Sequence, residues 1–177
     1  LDVMCQITQS KPLSVSAIGV RLSDEIPKDN YNYGQLQIRF EDDSVGWYEA
    51  GWGPMISETA FFVKDVIGPN GSVSIVSDDD TFNKDSDNIE NHTKNNCLKI
   101  HSSKLDSDDN FISPNKKIVY NEDPSHQDLC DYEQEYFYKS ISENIDLKSH
   151  MEDAYKSLQI ALACDEAVKK GKTVFLD

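Results

Sequence analysis

Two carboxylates lie on either side of an aromatic turn in the first third of the chain. Glu49 precedes and Glu58 follows the segment Gly51-Trp-Gly-Pro54. Carboxylate oxygens accept hydrogen bonds from hydroxyl groups, and an indole ring offers a flat apolar surface, so this combination suits a polyol or sugar. Residue type alone favours another interpretation for each carboxylate, namely a position on the surface or in an interface.

Other reactive residue types occur without the spacing that their chemistry needs. The run Asp78–Asp80, with Asp85 and Asp87, has the oxygens for calcium. It lacks the glycine and terminal glutamate of an EF-hand, so a solvated loop is expected. The four cysteines form no Cys-x-x-Cys pair and lie at no zinc-ligand spacing from a histidine. No Gly-x-Ser-x-Gly elbow positions a nucleophile. The residues predict no metal site and no self-contained active site.

Nucleotide-binding motifs are also missing from the sequence. There is no Gly-x-Gly-x-x-Gly and no Gly-Lys-Ser/Thr phosphate loop. The glycine-containing stretch Gly46–Met55 is interrupted by bulky aromatic residues, which would keep the backbone away from a pyrophosphate. We therefore predict that no cofactor binds to this chain by itself.

The composition excludes several classes of partner. The 177 residues include 17 Lys+Arg and 32 Asp+Glu, a net charge of −15. This balance argues against nucleic acid and against an anionic membrane surface, because both attract basic proteins. No apolar run is long enough to cross a bilayer, and no signal peptide opens the chain. Together with the unpaired spacing of the cysteines, this predicts a cytoplasmic protein with reduced thiols.

The hydrophobic pattern predicts several strands joined by short turns, followed by two helices. Between them, about 77–116 is dominated by Asp, Asn, Ser and Lys and is predicted to be a mobile acidic insertion. Tyr33–Phe40 and Val45–Ala50 should pair as a hairpin, and Asn70-Gly71 marks another tight turn. The remaining predicted strands are Leu13–Leu22, Phe61–Ile67, Val73–Ile75, an edge strand at Cys97–His101, Lys117–Tyr120 and Thr173–Leu176.

Helical periodicity appears at both ends of the chain. A short helix is predicted from Leu1, and the mid-helix start suggests that the chain is truncated. The last helix should begin with a capping box, Ser149 with Glu152, and end at Gly171. The apolar stripe predicted for the core in this helix is Met151, Ala154, Tyr155, Leu158, Ala161, Leu162 and Val168; that of the preceding helix is Leu129, Tyr132, Tyr136, Phe137 and Ile141.

These elements predict an α+β fold, with a largely antiparallel open sheet and helices packed on one of its faces. No Rossmann domain is expected in this chain. Trp47, Tyr48 and Trp52 are expected on or near the other face, which is then available for homo-oligomerisation.

Three stretches of the sequence resemble one protein family. They are Gly46–Pro69, Asp123–Phe137 and His150–Val174, the last being a helix that ends in Gly-Lys before a final strand. Together they resemble the C-terminal domain of the glucose–fructose oxidoreductase / inositol dehydrogenase (Gfo/Idh/MocA) family. The resemblance covers nearly all of the chain outside the acidic insertion, so residues 1–177 are predicted to be a single domain of this type.

The resemblance implies a division of labour with a missing N-terminal Rossmann domain. That domain would bind NAD or NADP, and the catalytic Lys, Asp and His of the family would also lie outside this chain. Asp2 is similar to the acidic residue that follows the catalytic His, which implies that the cut falls just after that His. No catalytic residue is therefore carried over to this chain.

By the same resemblance, Trp52, Met55, Ser57 and Glu58 are the candidates to bind the substrate. The implied function is that of the substrate-binding and oligomerisation domain of an NAD(P)-dependent oxidoreductase. The substrate is a sugar, polyol or related hydroxy compound, and the fragment alone is predicted to be inactive. The alternative is a non-catalytic assembly or sugar-binding module.

Overall fold

The structure is a computed structural model, and it describes residues 1–51, 65–76, 97–120, 122 and 124–176. Its elements, in chain order, are α1 (Asp2–Thr8), β1 (Pro12–Val20), β2 (Tyr33–Phe40), β3 (Val45–Gly51), β4 (Asp65–Gly68), β5 (Gly71–Ile75), β6 (Cys97–Ser102), β7 (Lys116–Val119), α2 (His126–Ser142), α3 (Lys148–Lys170) and β8 (Val174–Phe175). All strand pairs among them are antiparallel. The predicted α+β class is confirmed.

The described strands form two four-stranded antiparallel sheets. Their orders are β3-β2-β1-β8 and β4-β5-β6-β7. The chain divides into two compact units: unit 1 is Leu1–Ile56 with Ser140–Asp177, and unit 2 is Ser57–Lys139. The first sheet belongs to unit 1 and the second to unit 2.

Unit 1 is built on the predicted hairpin of β2 and β3. Leu36, Ile38 and Phe40 alternate along β2 and are buried, whereas Gln37 and Arg39 between them are exposed. This period of two places all the large apolar side chains of β2 on the face that the helices cover. At the turn, Asp43 takes a left-handed backbone conformation, with a φ of 65°.

The core of unit 1 lies between its sheet and α3. Val15, Ile38 and Phe40 pack with Ile160 of α3, and none of these four side chains has any exposed surface. Cys5 of α1 joins the same core. Helices thus cover one face of the sheet, as predicted, and the opposite face is open.

The face of α3 that enters this core differs from the predicted one. Its buried residues are Ile160, Ala163 and Ala167, whereas Leu158 and Leu162 are exposed. Residues two apart lie about 200° apart around a helix, so the two sets lie on opposite sides. The small side chains of Ala163 and Ala167 allow the helix to approach the sheet closely. Of the predicted stripe, Val168 lies on the packed side, while Met151, Ala154, Tyr155, Leu158, Ala161 and Leu162 are exposed.

The helix ends show one further difference. Gly171 ends α3 in the left-handed conformation, as predicted, with a φ of 61°. At the other end α3 begins at Lys148, so Ser149 lies inside it. The N-cap is Leu147, which makes no side-chain capping bond. Asp146 lies just before it, and its Oδ1 accepts a hydrogen bond from the Lys148 N–H at 2.9 Å. A capping box occurs instead at α2, where Ser125 and Asp128 exchange hydrogen bonds of 2.9 and 3.1 Å.

Helix α2 is present where it was predicted, but its apolar stripe is exposed in this chain. The residues concerned are Leu129, Tyr132, Tyr136, Phe137 and Ile141. No helix among the described residues has both the length and the apolar character that crossing a bilayer requires.

Unit 2 contains a tight turn at the predicted place, one residue earlier in the chain than the Asn70-Gly71 pair. The two residues between β4 and β5 are Pro69 and Asn70, and Gly71 opens β5 with a φ of 142°. Ser103 holds this turn, because its hydroxyl donates to the Pro69 carbonyl oxygen at 2.8 Å.

Part of the predicted acidic insertion is ordered strand. β6 pairs with both β5 and β7, so it is an inner strand and not the predicted edge. Its pairing with Lys116–Val119 confirms the predicted partner. The first part of the insertion, 77–96, lies outside the described residues, and its mobility stays a prediction.

Candidate functional site

The four predicted substrate-binding residues, Trp52, Met55, Ser57 and Glu58, lie outside the described residues. The structure therefore neither brings them together nor separates them. The described chain stops at Gly51, the last residue of β3, directly before Trp52 in the sequence. The candidate site is accordingly built from the residues that surround this end of β3.

A cleft of about 270 Å³ lies at this end of the unit 1 sheet. Its walls are mainly apolar. It is lined by Ile18, Tyr31, Asn32, Tyr33, Gly34, Gln35, Leu36, Tyr48, Ala50, Gly51, Cys164 and Val168. Sequence reasoning did not single out this cleft, because its residues come from three strands, a loop and a helix.

A glycine permits the close packing beside the cleft. A Cβ atom on Gly19 would lie 2.7 Å from Cγ of Tyr31 and 2.8 Å from Cγ1 of Val168. Only a residue without a side chain leaves room for both groups at this point of β1. The Tyr31 ring can therefore lie against the strand and form part of the cleft wall.

Asn32 fixes the loop that carries Tyr31. Its side chain is buried, and its Oδ1 accepts a hydrogen bond from the Leu22 N–H at 2.8 Å. Its own N–H donates to the Val20 carbonyl oxygen at 3.2 Å. The two bonds close the segment between β1 and β2, and so hold Tyr31 in place.

A polar cluster lies on the open face of the same sheet, where Glu49 is found. The Tyr33 hydroxyl donates to Glu49 Oε1 at 2.6 Å and accepts from Gln35 Nε2 at 3.0 Å. Gln35 and Glu49 are directly opposite one another in the β2–β3 register. The hydrogen bond to the Glu49 carboxylate raises the pKa of Tyr33, so its phenol stays neutral and serves to hold Glu49.

We expect the pKa of Tyr33 to fall towards the ordinary tyrosine value, about 10, when Glu49→Gln removes the carboxylate. The hydrogen bond between Tyr33 and Glu49 should stabilise the folded state at pH values below the pKa of Tyr33 in the unfolded chain. This stabilisation should be lost as the pH rises through the higher pKa of Tyr33 in the folded state. An NMR titration of the ¹³C-labelled tyrosines measures the pKa of Tyr33, whose resonance is assigned by its loss in Tyr33→Phe. Tyr31, whose pKa is raised chiefly by burial, is the internal control. If the pKa of Tyr33 were unchanged in Glu49→Gln, the Glu49 carboxylate could not be the cause of the raised pKa.

Cys164 is the thiol in the cleft. Burial raises its pKa, and the neighbouring Asp165 carboxylate acts in the same direction. A raised pKa keeps the thiol protonated at neutral pH, and the protonated form is a poor nucleophile. Among the described residues, no group of three His, Cys, Asp or Glu side chains could hold a metal ion. Within the part of the chain that the structure describes, the cleft thus offers a mainly apolar surface without an activated thiol, and no cluster of metal ligands is found.

This chain was compared with families, curated proteins and solved structures. No family model matches the chain, and no curated protein matches it. Solved structures do. Aldose-aldose oxidoreductase from Caulobacter crescentus, complexed with glycerol, is 16% identical with a TM-score of 0.67; the match covers 99% of this chain and 44% of that one.

Two further solved structures match this chain over nearly its whole length. Levoglucosan dehydrogenase, in complex with NADH and levoglucosan, is 15% identical with a TM-score of 0.65, covering 98% of this chain and 47% of that one. An oxidoreductase from Agrobacterium radiobacter, in complex with NAD+, L-tartaric acid and magnesium, is 10% identical with a TM-score of 0.64. The match covers 98% of this chain and 46% of that one. These structures are Gfo/Idh/MocA-type oxidoreductases, and this chain has the fold of less than half of each one.

The Gfo/Idh/MocA-type fold extends over nearly all of this chain, whereas the chain spans less than half the length of the solved structures it matches. At this level of identity the likeness establishes the fold. The resemblance found in the sequence is thereby confirmed in the arrangement of the backbone.

Proposed function

We propose that this chain is the C-terminal, substrate-side domain of an NAD(P)-dependent oxidoreductase that acts on a hydroxyl-bearing compound such as a sugar or polyol. The observation that carries the proposal is the fold match. It covers 98–99% of this chain but only 44–47% of three oxidoreductases, so it corresponds to one part of such an enzyme.

The ligands of the matched structures support this substrate class. Glycerol, levoglucosan and L-tartaric acid are all small molecules with hydroxyl groups, and two of the structures also hold NAD+ or NADH. In our proposal Trp52, Met55, Ser57 and Glu58 bind the substrate. The cleft offers a mainly apolar surface against which the carbon skeleton of such a substrate can pack.

The described residues do not fit the nucleotide itself. Dinucleotide sites place a pyrophosphate at the N-terminus of a helix, after a glycine-rich loop. Here α2 begins at the Ser125–Asp128 capping box, and the Asp146 carboxylate accepts a hydrogen bond from the N–H of Lys148, the first residue of α3. Both helix ends therefore carry a carboxylate, which repels a phosphate. This supports a nucleotide site on another domain, and no reaction step is assigned to this chain.

The open face of the unit 1 sheet supports a role in assembly. Ile18, Trp47 and Phe175 are 64%, 60% and 79% exposed. By strand alternation they lie on the face opposite the core. Tyr48 lies on the helix-covered side of its edge strand, so Trp47 alone of the predicted aromatic residues is placed on the open face by the described structure. We expect this face to form a homo-oligomer interface in a cytoplasmic enzyme.

We expect the purified 177-residue chain to show no saturable NADH binding in the micromolar range and no turnover. Titration followed by NADH fluorescence measures the first, because binding to a protein changes the emission of the nicotinamide. The positive control is the same titration with a protein known to bind NADH. Saturable micromolar binding by the chain would overturn the division of labour proposed here.

The protein made from the complete reading frame provides the test in which activity is expected. It should reduce NAD+ or NADP+ in the presence of a polyol or sugar from a panel, followed by absorbance of the reduced nucleotide. Glu58→Gln in that protein should raise KM for the substrate while leaving nucleotide binding unchanged. A reading frame without any nucleotide-binding domain would favour the sugar-binding or assembly module instead.

A further inference from the structure

A second apolar stripe lies on α3, opposite the face that packs on the sheet. Its large members are Met151, Tyr155, Leu158 and Leu162, each between 56% and 68% exposed. A single exposed apolar side chain is ordinary, but a row of large ones marks an interaction surface. We call these four residues the α3 seam.

The α3 seam has the spacing of a helix-pairing surface. Its members follow one another at intervals of four, three and four residues. This is the a/d pattern by which two helices pack along each other. Ala154 and Ala161 are exposed beside the seam, and such small side chains let helix axes approach to about 8 Å. The surface therefore suits another helix.

The seam is also complementary to itself. Its four members are arranged symmetrically about a point midway between Tyr155 and Leu158. With a second α3 lying antiparallel across this point, Tyr155 faces Leu158 of the second copy, and Met151 faces its Leu162. Such a two-fold arrangement buries the same residues on both copies, as symmetric dimers do.

Charges at the two ends of the seam select the antiparallel orientation. Lys148 lies three residues before Met151, and Asp165 lies three residues after Leu162, so both continue the a/d pattern. In an antiparallel pair Lys148 faces Asp165 of the second copy at both ends. A parallel pair would place lysine against lysine and aspartate against aspartate, which is unfavourable.

Both charged groups are accessible for this exchange. Within the chain, Lys148 Nζ is 3.9 Å from Glu152 Oε1, and Asp165 Oδ2 is 2.6 Å from Lys169 Nζ. All four side chains are well exposed, and exposed ion pairs contribute little to stability. Sharing these groups with a second copy therefore costs little.

We infer that α3 pairs with α3 of a second copy of this chain in an antiparallel, two-fold symmetric helix pair. This inference is independent of the oxidoreductase proposal and uses a different surface from the open sheet face. The contact is small, and each copy carries a net charge of −15, which opposes association. The pair should accordingly be a weak dimer, with a Kd in the micromolar range or above.

Sedimentation velocity of the full 177-residue chain, from about 1 to 500 µM, tests this pairing. We expect a monomer–dimer equilibrium in which Leu158→Glu raises the Kd at least about tenfold, because it buries a carboxylate in the seam twice per dimer. The seam variant and its reference are both measured in chains that also carry Ile18→Glu, which removes association through the open sheet face proposed above and should leave the α3 pair intact. Circular dichroism checks that each variant is folded, and Leu162→Glu provides a second, independent seam variant.

A charge exchange tests the orientation. Lys148→Glu and Asp165→Lys should each weaken the dimer about three- to tenfold, since each sets like charges together. The double variant restores opposite charges and should return the Kd to within about threefold of the original. A chain that remains monomeric throughout, association lost in the Ile18→Glu reference or unchanged by Leu158→Glu, or a double variant without recovery would overturn the inference.

Discussion

Replacing Ile160 with alanine is expected to lower the free energy of unfolding of unit 1 by about 2–5 kcal/mol. The Ile160 side chain has no exposed surface and packs with Val15, Ile38 and Phe40. Removing three of its carbons leaves a cavity that the surrounding strands fill only in part. Urea unfolding followed by tryptophan fluorescence measures the change, since both tryptophans of the chain belong to unit 1.

Leu162→Ala is the matched control for Ile160→Ala. It removes a similar volume from the same helix, two residues away, but its side chain is 63% exposed. We expect a change within about 0.5 kcal/mol when the chain is dilute enough to be monomeric. A cost at Leu162 as large as that at Ile160 would show that α3 packs through the stripe predicted from the sequence.

Gly71→Ala is expected to destabilise the sheet of unit 2 by about 3 kcal/mol or more. A Cβ atom at this position would lie 2.0 Å from the His101 carbonyl oxygen, and the backbone φ is 142°. Alanine would meet both a steric overlap with the backbone of β6 and a conformation that is essentially restricted to glycine. Hydrogen exchange of the β5 and β6 amides should accelerate strongly.

Gly68→Ala is the control for Gly71→Ala. Gly68 is paired with Gly71 across the same turn, but a Cβ atom there would have no neighbour within 4 Å. In Gly68→Ala, the amides of residue 68 and of β5 should exchange at nearly the rates of the unsubstituted chain. Equal acceleration in both variants would mean that the turn, and not the contact with His101, determines the stability of this sheet.

The accuracy of the sequence-based predictions depends on how many faces of an element carry apolar residues. In β2 only one alternating set, Leu36, Ile38 and Phe40, is apolar, so the pattern specifies which side is buried. In α3 both sides carry apolar residues. Local periodicity then favours the larger side chains, whereas the sheet selects Ala163 and Ala167, whose small size allows close approach.

Helix ends illustrate a second reason for error. The pattern Ser149-x-x-Glu152 is a good capping signal and predicts a helix from His150, yet the helix starts two residues earlier, at Lys148. The Asp146 carboxylate accepts a hydrogen bond from the Lys148 N–H there. At α2, Ser125 and Asp128 form a reciprocal pair that the same rule could have found if aspartate had been accepted at the third position. Several candidate caps lay close together, and the sequence does not say which one the chain uses.

The site was less predictable than the fold. The cleft beside Gly51 depends on the approach of Tyr31 to Gly19 and Val168, and these residues come from distant parts of the sequence. No local pattern encodes such a contact. The predicted substrate residues Trp52, Met55, Ser57 and Glu58 rest on family resemblance alone and stay a prediction.

The outer strands of the two sheets also bear on the behaviour of the chain at high concentration. β7 is an outer strand of its sheet, and its first two residues are the exposed Lys116 and Lys117. β8 is an outer strand of the other sheet and is only two residues long. Lysines and short length both discourage a free strand edge from adding strands of another molecule. Of the four outer strands formed by the described residues, two thus carry features that discourage the growth of cross-β aggregates.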